Sequence, residues 1–209
     1  MMSLRPLAAP MLCLASASPR RRELLAQIGV VHKVVPADID ETRRPGESPH
    51  DFVLRLAHDK ALWVSSRHPK APVLAADTAV VLGDEVYGKP QHREQGLAML
   101  ASLAGRRHQV LTAVALATRD GVTSALSEST VQLRTMTEAE RARYWDTGEP
   151  QDKAGGYAIQ GFGAVFVESL HGSFSGVVGL PLYETAELLR AAGVPCWLEY
   201  SMHSGARRR

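Results

Sequence analysis

Residues 14–25 read Leu-Ala-Ser-Ala-Ser-Pro-Arg-Arg-Arg-Glu-Leu-Leu, so small hydroxyl residues lead through a proline into three arginines. Ser18 suits a helix N-cap, and Pro19 suits the first helical position, where its missing N–H costs nothing. A helix start carries partial positive charge and free N–H groups. Arg20, Arg21 and Arg22 oppose that dipole unless an anion lies among them. The segment is therefore either a phosphate-binding turn or a solvated basic helix start.

Other residues extend the same choice. On a helix beginning at Pro49, Lys60 falls in the middle of an apolar stripe made by Val53, Leu56, Ala57, Trp63 and Val64. A lysine there must snorkel, pair or reach a ligand. Asp77 directly follows Val73-Leu74-Ala75-Ala76, which reads as a short buried strand. An acid at such a strand's end is either a functional group or an Asx turn, and Thr78 adds a hydroxyl. Lys89 sits in the turn Gly88-Lys89-Pro90. The segment 152–161, Asp-Lys-Ala-Gly-Gly-Tyr-Ala-Ile-Gln-Gly, mixes glycines with apolar residues, so its polar groups need partners. Gln160 within it has the character of a recognition amide. Residues 172–181 form a second glycine-rich turn, able to bind phosphate through backbone N–H groups or simply to reverse the chain. Five cations (Arg20, Arg21, Lys60, Lys89, Lys153) with two carboxylates (Glu41, Asp77) are the ingredients of a magnesium-assisted polyphosphate site.

The elements that must position these groups alternate between strand and helix. Strands are expected at 11–15, 30–35, 73–76, 78–82, 85–87, 108–117, 122–134, 164–170 and 195–200. Gly83-Asp84 and Arg119-Asp120-Gly121 mark hairpins. Helices are expected from Pro19 to about Gly29 and from Pro49 to Ser66, the latter capped by Ser48. Further helices are expected at 91–103, from the capping box Thr137-Glu138-Ala139-Glu140 to Gly148, and at 182–192. The segment 151–163 reads as irregular. A mixed sheet with helices on its faces follows.

The 209 residues are 45% hydrophobic with a net charge of +2, which fits an ordinary globular domain and gives no broad electrostatic footprint for nucleic acid. Residues 1–10 read as a flexible extension, 11–200 as a single domain, and 201–209 as a basic tail. Pro6 and Pro10 interrupt the N-terminal apolar run, which argues against a signal peptide, and no stretch reaches the length of a membrane span. Two cysteines, Cys13 and Cys196, suggest buried thiols in a reducing cytoplasm, and eight scattered histidines lack metal-ligand spacing. Neither a P-loop nor a Rossmann fingerprint is present.

Taken together, residues 14–25, Ala76-Asp77-Thr78, Gly88-Lys89-Pro90, 152–161 and Val178-Gly179-Leu180-Pro181 resemble the Maf family of nucleoside triphosphate pyrophosphatases, over about residues 11–200. Leu103-x-Gly105 and His108-x-Val110-x-Thr112 fall between them in the family's order. The resemblance implies an elongated mixed sheet with flanking helices and two lobes around a cleft, as in inosine-triphosphate pyrophosphatase. Members were first associated with septum inhibition and are often dimeric, so a cytoplasmic homodimer is implied. The implied reaction cleaves a nucleoside triphosphate to monophosphate and pyrophosphate with Mg²⁺ or Mn²⁺.

Position by position, the resemblance assigns phosphate binding to Ser16, Arg20, Arg21, Lys60, Lys89 and Lys153. It assigns catalysis to Asp77, metal binding to Glu41 and Asp77, and specificity to Arg20, Thr78 and Gln160. The Asp-Lys-Ala-Gly…Ile-Gln-Gly form resembles the dTTP/UTP branch, whereas the 7-methyl-GTP branch carries a glutamate near Gln160. A neutral pyrimidine suits an amide that both donates and accepts, and a cationic methylated guanine suits a carboxylate. Ala76, Gly156 and Ala158 depart from the family's usual small residues. The alternatives are a 7-methyl-GTP pyrophosphatase and a non-catalytic nucleotide-binding regulator of division.

Overall fold

The computed structural model describes residues 11–196. The expected N-terminal extension 1–10, the basic tail 201–209, and most of the strand expected at 195–200 lie outside them. Among the described residues seven strands form one sheet: β1 (Leu12–Leu14), β2 (His32–Val34), β3 (Val73–Leu82), β4 (Glu85–Tyr87), β5 (Arg107–Thr118), β6 (Gly121–Leu133) and β7 (Val167–His171). Six α-helices, again among the described residues, accompany them: α1 (Pro19–Gln27), α2 (Pro49–Ser65), α3 (Arg93–Leu103), α4 (Glu138–Asp146), α5 (Phe174–Val178) and α6 (Leu182–Ala191). The sheet order is β2-β1-β3-β5-β6-β7, with β4 also paired to β3. β1 runs parallel to β2 and β3, and the remaining pairs are antiparallel.

The sheet is mixed because its connections are mixed. Short turns at Gly83-Asp84 and around Asp120 make antiparallel hairpins. The strands flanking α1 and α2 are joined by crossovers, which parallel pairing requires. Alternation along β3 sends Val73, Ala75, Ala79 and Val81 to the face covered by α2, whose Val53, Ala57, Ala61 and Val64 are buried against them. Leu74 and Ala76 pack on the opposite face with α1 and α6. A third cluster joins Val80 and Val110 to α3, Tyr144 and Tyr157.

Three expectations are corrected here. The strand broken at Asp77 is one continuous ten-residue strand, with Asp77 opposite Ala113 and Thr78 opposite Thr112. The break in apolar character marks a fork in the sheet rather than a strand end. β1 pairs with β3 only at Val73 and Leu74, and β4 pairs with it only from Val80 onward. Between them one edge of β3 is unpaired, and the cleft opens there. The second glycine-rich turn contains the short helix α5, with Ser173 as N-cap accepting from Gly176 N. The strand expected from Ala164 begins at Val167, because residues Gly161–Phe166 form a 3-10 turn. Cys13 is buried and Cys196 half-buried. Among the described residues no helix is long and apolar enough to cross a membrane.

Candidate active site

The unpaired edge of β3 lies in a cleft of about 670 Å³, bordered by the 15–21 turn, α2, β3, the Lys89 turn, and residues 152–160. That volume suits a small-molecule ligand. Ser16, Arg20, Arg21, Glu41, Lys60, Asp77, Thr78, Lys89, Lys153 and Gln160, all expected from the sequence, line this one cleft.

Lys60 resolves the ambiguity of its apolar stripe. It is buried, and its Nζ lies 2.7 Å from Asp77 Oδ1 and 2.8 Å from Glu41 Oε1. Its charge is committed to two carboxylates, so it organises acids rather than standing free for phosphate. Burial pushes the Asp77 carboxyl above the usual carboxylate range, against the pull of Lys60 and Arg21. A buried acid held that way retains proton affinity, as a general base requires. Glu41 reaches the cluster from the loop before α2. That loop is pinned by Arg55, whose guanidinium grips the Glu47 carboxylate and donates to Thr42 O at 3.1 Å.

Arg21 fills the gap in the sheet. It donates from Nε to Gly179 O at 2.7 Å, and from Nη1 to Ala76 O at 2.7 Å and Ser16 Oγ at 3.3 Å. Nη2 donates to Thr78 Oγ1 at 3.1 Å. Four of the five guanidinium N–H groups are thereby used within the protein, leaving one for a ligand. The Thr78 hydroxyl, expected to read the base, is also occupied. Thr112 Oγ1 lies 3.0 Å from it and 2.8 Å from Gly176 O. Since Gly176 O can only accept, it takes the Thr112 hydrogen, and Thr78 donates to Thr112. Thr78 therefore orients Arg21. Ser18 caps α1 by position alone, because its side chain makes no cap bond and its N–H donates to Ser16 Oγ at 3.2 Å.

On the facing side, Arg20 pairs with Asp152 at 2.7 Å, and Lys153 meets the same carboxylate at 2.6 Å. Burial pushes the Asp152 carboxyl up, but hydrogen bonds from Lys153 and Arg20 outweigh it and leave it below the usual range. Asp152 lines the cleft as well, and no local pattern in the sequence marks it. Its Arg20 partner lies 132 positions away, and the alternation of charge in Asp152-Lys153 reads as a solvated pair. Glu149 stands outside the cleft lining, and its side chain accepts from Tyr144 Oη, Phe162 N and Gly163 N. Lys89 and Gln160 are exposed to the cleft and have no side-chain ion pair or hydrogen bond to other described residues except a backbone contact at Lys89 O.

Among the described residues no cluster of three or more His, Cys, Asp or Glu forms. The available oxygen donors are Asp77 and Glu41, which meet at one ammonium, each with a second oxygen that has no protein partner among the described residues. Two hard carboxylates completed by substrate oxygens match the way Mg²⁺ is usually held.

Comparison with known proteins places the chain among relatives of known name. The family model for Maf-like proteins matches residues 11–192. A dTTP/UTP pyrophosphatase of Bordetella avium is 52% identical over 194 residues, covering 88% of this chain and 96% of that protein. One from Saccharophagus degradans is 53% identical over 190 residues, covering 89% and 90%. Among solved structures, a HAM1 protein from Coxiella burnetii aligns over 86% of this chain and 98% of its own, with a TM-score of 0.45 at 17% identity.

Proposed function

The chain belongs to the Maf-like protein family, and on that premise we propose that it hydrolyses dTTP and UTP to nucleoside monophosphate and pyrophosphate. The observation that carries the chemistry is the Lys60–Asp77–Glu41 cluster, a buried carboxylate of raised proton affinity facing a cation-lined cleft. Its relatives named for dTTP and UTP carry the substrate.

Arg20, Lys89, Lys153 and the remaining N–H of Arg21 neutralise the triphosphate as it enters, with Arg20 and Lys153 exchanging Asp152 for phosphate oxygens. Asp77 accepts a proton from the attacking water. The water oxygen bonds to the α-phosphorus as the bond to the bridging oxygen breaks, and pyrophosphate leaves. Lys60 keeps Asp77 oriented without itself entering the reaction. Asp77 and Glu41 would hold a divalent cation, Mg²⁺ or Mn²⁺, which supplies charge neutralisation at the phosphate oxygens. Gln160, which lines the cleft, offers both a donor and an acceptor to the edge of a neutral pyrimidine.

The reading also includes a homodimer in the cytoplasm; light scattering of the purified protein tests the dimer. The decisive experiment on function is product analysis with dTTP, UTP, CTP and 7-methyl-GTP. The monophosphate and pyrophosphate are expected from dTTP and UTP first. Diphosphate with orthophosphate overturns the site of attack. Preference for 7-methyl-GTP overturns the branch, and tight binding without turnover points to a regulator.

A further inference from the structure

The Gln160 side chain makes no hydrogen bond to the described residues, yet the chain on both sides of it is fixed from one place. Glu149 stands at the start of the 3-10 turn Glu149–Asp152, beyond the residues that line the cleft. Its Oε1 accepts from Gly163 N at 2.8 Å and from Tyr144 Oη at 2.8 Å, and its Oε2 accepts from Phe162 N at 2.9 Å. The same Tyr144 oxygen accepts from Ala158 N at 3.0 Å. One carboxylate–phenol pair thus holds residues 158, 162 and 163, which straddle Gln160.

The glycines in this stretch fit that clamp. Gly161 has φ of +69°, and a side chain there would run into the Glu149 carboxylate. A Cβ at Gly163 would meet Ala158 O and the Tyr144 hydroxyl. Both glycines allow the loop to close onto the acceptors. Burial works against ionisation of Glu149, but bonds from Gly163 N, Tyr144 and Phe162 N keep its carboxyl below the ordinary range, so it is an anion at neutral pH. The Glu149 carbonyl oxygen also accepts from Lys153 Nζ at 2.8 Å. That contact is made by the backbone and survives a change of side chain.

We infer that Glu149, with Tyr144, is the positioning residue for base selection. It fixes the loop that presents the Gln160 amide and touches neither base nor phosphate. This inference rests on the proposed pyrophosphatase reading. In Glu149→Gln one acceptor oxygen becomes an NH₂ group that faces backbone N–H donors, so the loop is released on at least one side of Gln160.

The test separates base reading from phosphate binding. For Glu149→Gln, KM for dTTP and UTP should rise about ten-fold, the size of effect of one lost charged hydrogen-bond set. kcat should stay within about two-fold, and the Ki of inorganic tripolyphosphate, which has no base, should not change. In a Gln160→Ala background the same substitution should add nothing, since its effect runs through Gln160. Equal weakening of dTTP and tripolyphosphate, full additivity with Gln160→Ala, or an unchanged KM each overturns the inference. Should Glu149→Gln not fold, Tyr144→Phe carries the test. It leaves the carboxylate in place and releases Ala158, so a KM rise with unchanged tripolyphosphate Ki supports the inference and no change overturns it. If the wild-type protein releases no pyrophosphate from any nucleotide, the underlying reading has failed, and that outcome is distinct from all of these.

Discussion

On one wall of the cleft, Lys60, Asp77 and Glu41 hang from a seventeen-residue helix, a ten-residue central strand and a loop tied down by the Arg55–Glu47 pair. On the facing wall, Arg20, Asp152, Lys153 and Gln160 stand on a helix start and a run of 3-10 turns and glycines. The first wall fixes its central pair by burial: the side chains of Lys60 and Asp77 are only 9% and 10% exposed, and Glu41, 56% exposed, reaches that pair from the rim. The second fixes its loop by hydrogen bonds to one carboxylate, while the Asp152 side chain is 57% exposed. Buried ions are costly to disturb, whereas half-exposed ones exchange partners at low cost. The division suits a reaction in which the group handling the proton must not move and the groups receiving a polyanion must let go of what they hold.

The largest effect expected from breaking this contrast is at Asp77. Asp77→Asn keeps the shape of the buried side chain and removes the base, so turnover should fall about 10²–10⁴-fold while thermal unfolding shows a folded protein. Turnover above about a tenth of wild type would remove Asp77 from the mechanism. In the wild type, the base must be deprotonated to act, so kcat/KM should rise with pH through a pKa above the ordinary aspartate value of about 3.9, because burial raises that of Asp77. A pH–rate profile checks the position of that limb.

Next in size is stability. Lys60→Met leaves Asp77 buried without its cation and should cost about 3 kcal/mol by urea unfolding, as removal of one partner from a buried pair does. Lys89→Met, on the exposed turn of the same cleft, should leave the urea midpoint unchanged and act only on KM. Equal destabilisation by both would erase the distinction between the walls.

How legible each wall was in the sequence follows from the same difference. Lys60 announced itself because a helical wheel shows a charge inside an apolar stripe, and local patterns such as the Ser48 cap and the Thr137 capping box need only neighbouring residues. Asp77 was legible as a residue, but its setting was not. Ten residues of strand interrupted by Asp-Thr look like two strands, since the fork between β1 and β4 depends on pairings far along the chain. The same holds for Arg21, whose acceptors at Ala76 and Gly179 are 55 and 158 positions away. Glu149 left a faint signal. A stretch rich in glycine and apolar residues needs an anchor for its N–H groups, and the sequence does not say which acid supplies it.

Beneath the loop wall, His108 offers a smaller and pH-gated test. It is buried against Tyr157, with Nε2 2.7 Å from the phenol, and burial pushes its pKa down to about 4. The unfolded chain takes up a proton near pH 6.5, while the native state does so only near 4. The stability this gives is therefore present above about pH 6.5 and is lost as pH falls toward 4, by roughly 3 kcal/mol in total. His108→Gln keeps a partner for Tyr157 and removes the titration, so its urea midpoint should vary less between pH 7 and pH 5 than that of the wild type. Equal slopes would assign the acid sensitivity to other groups.

The smallest effect, and the finest probe of the comparison, is at Asp152. Its carboxylate holds Arg20 and Lys153 in the place where a triphosphate needs them. An incoming phosphate must displace it, and an ion pair this exposed contributes only about 0–1 kcal/mol. Asp152→Asn removes the competing charge while keeping a hydrogen-bonding side chain of the same size. If the facing wall works by exchange of partners, the variant should bind tripolyphosphate up to about five-fold more tightly, with a KM for dTTP that falls to match and an unchanged kcat. The gain should shrink as salt is raised, because exposed charges are screened over about 8–10 Å at physiological ionic strength. A rise in KM instead would mean that Asp152 aims the two cations and that their geometry outweighs the competition. The loop wall would then be pre-set by an ion cluster, like the wall that faces it.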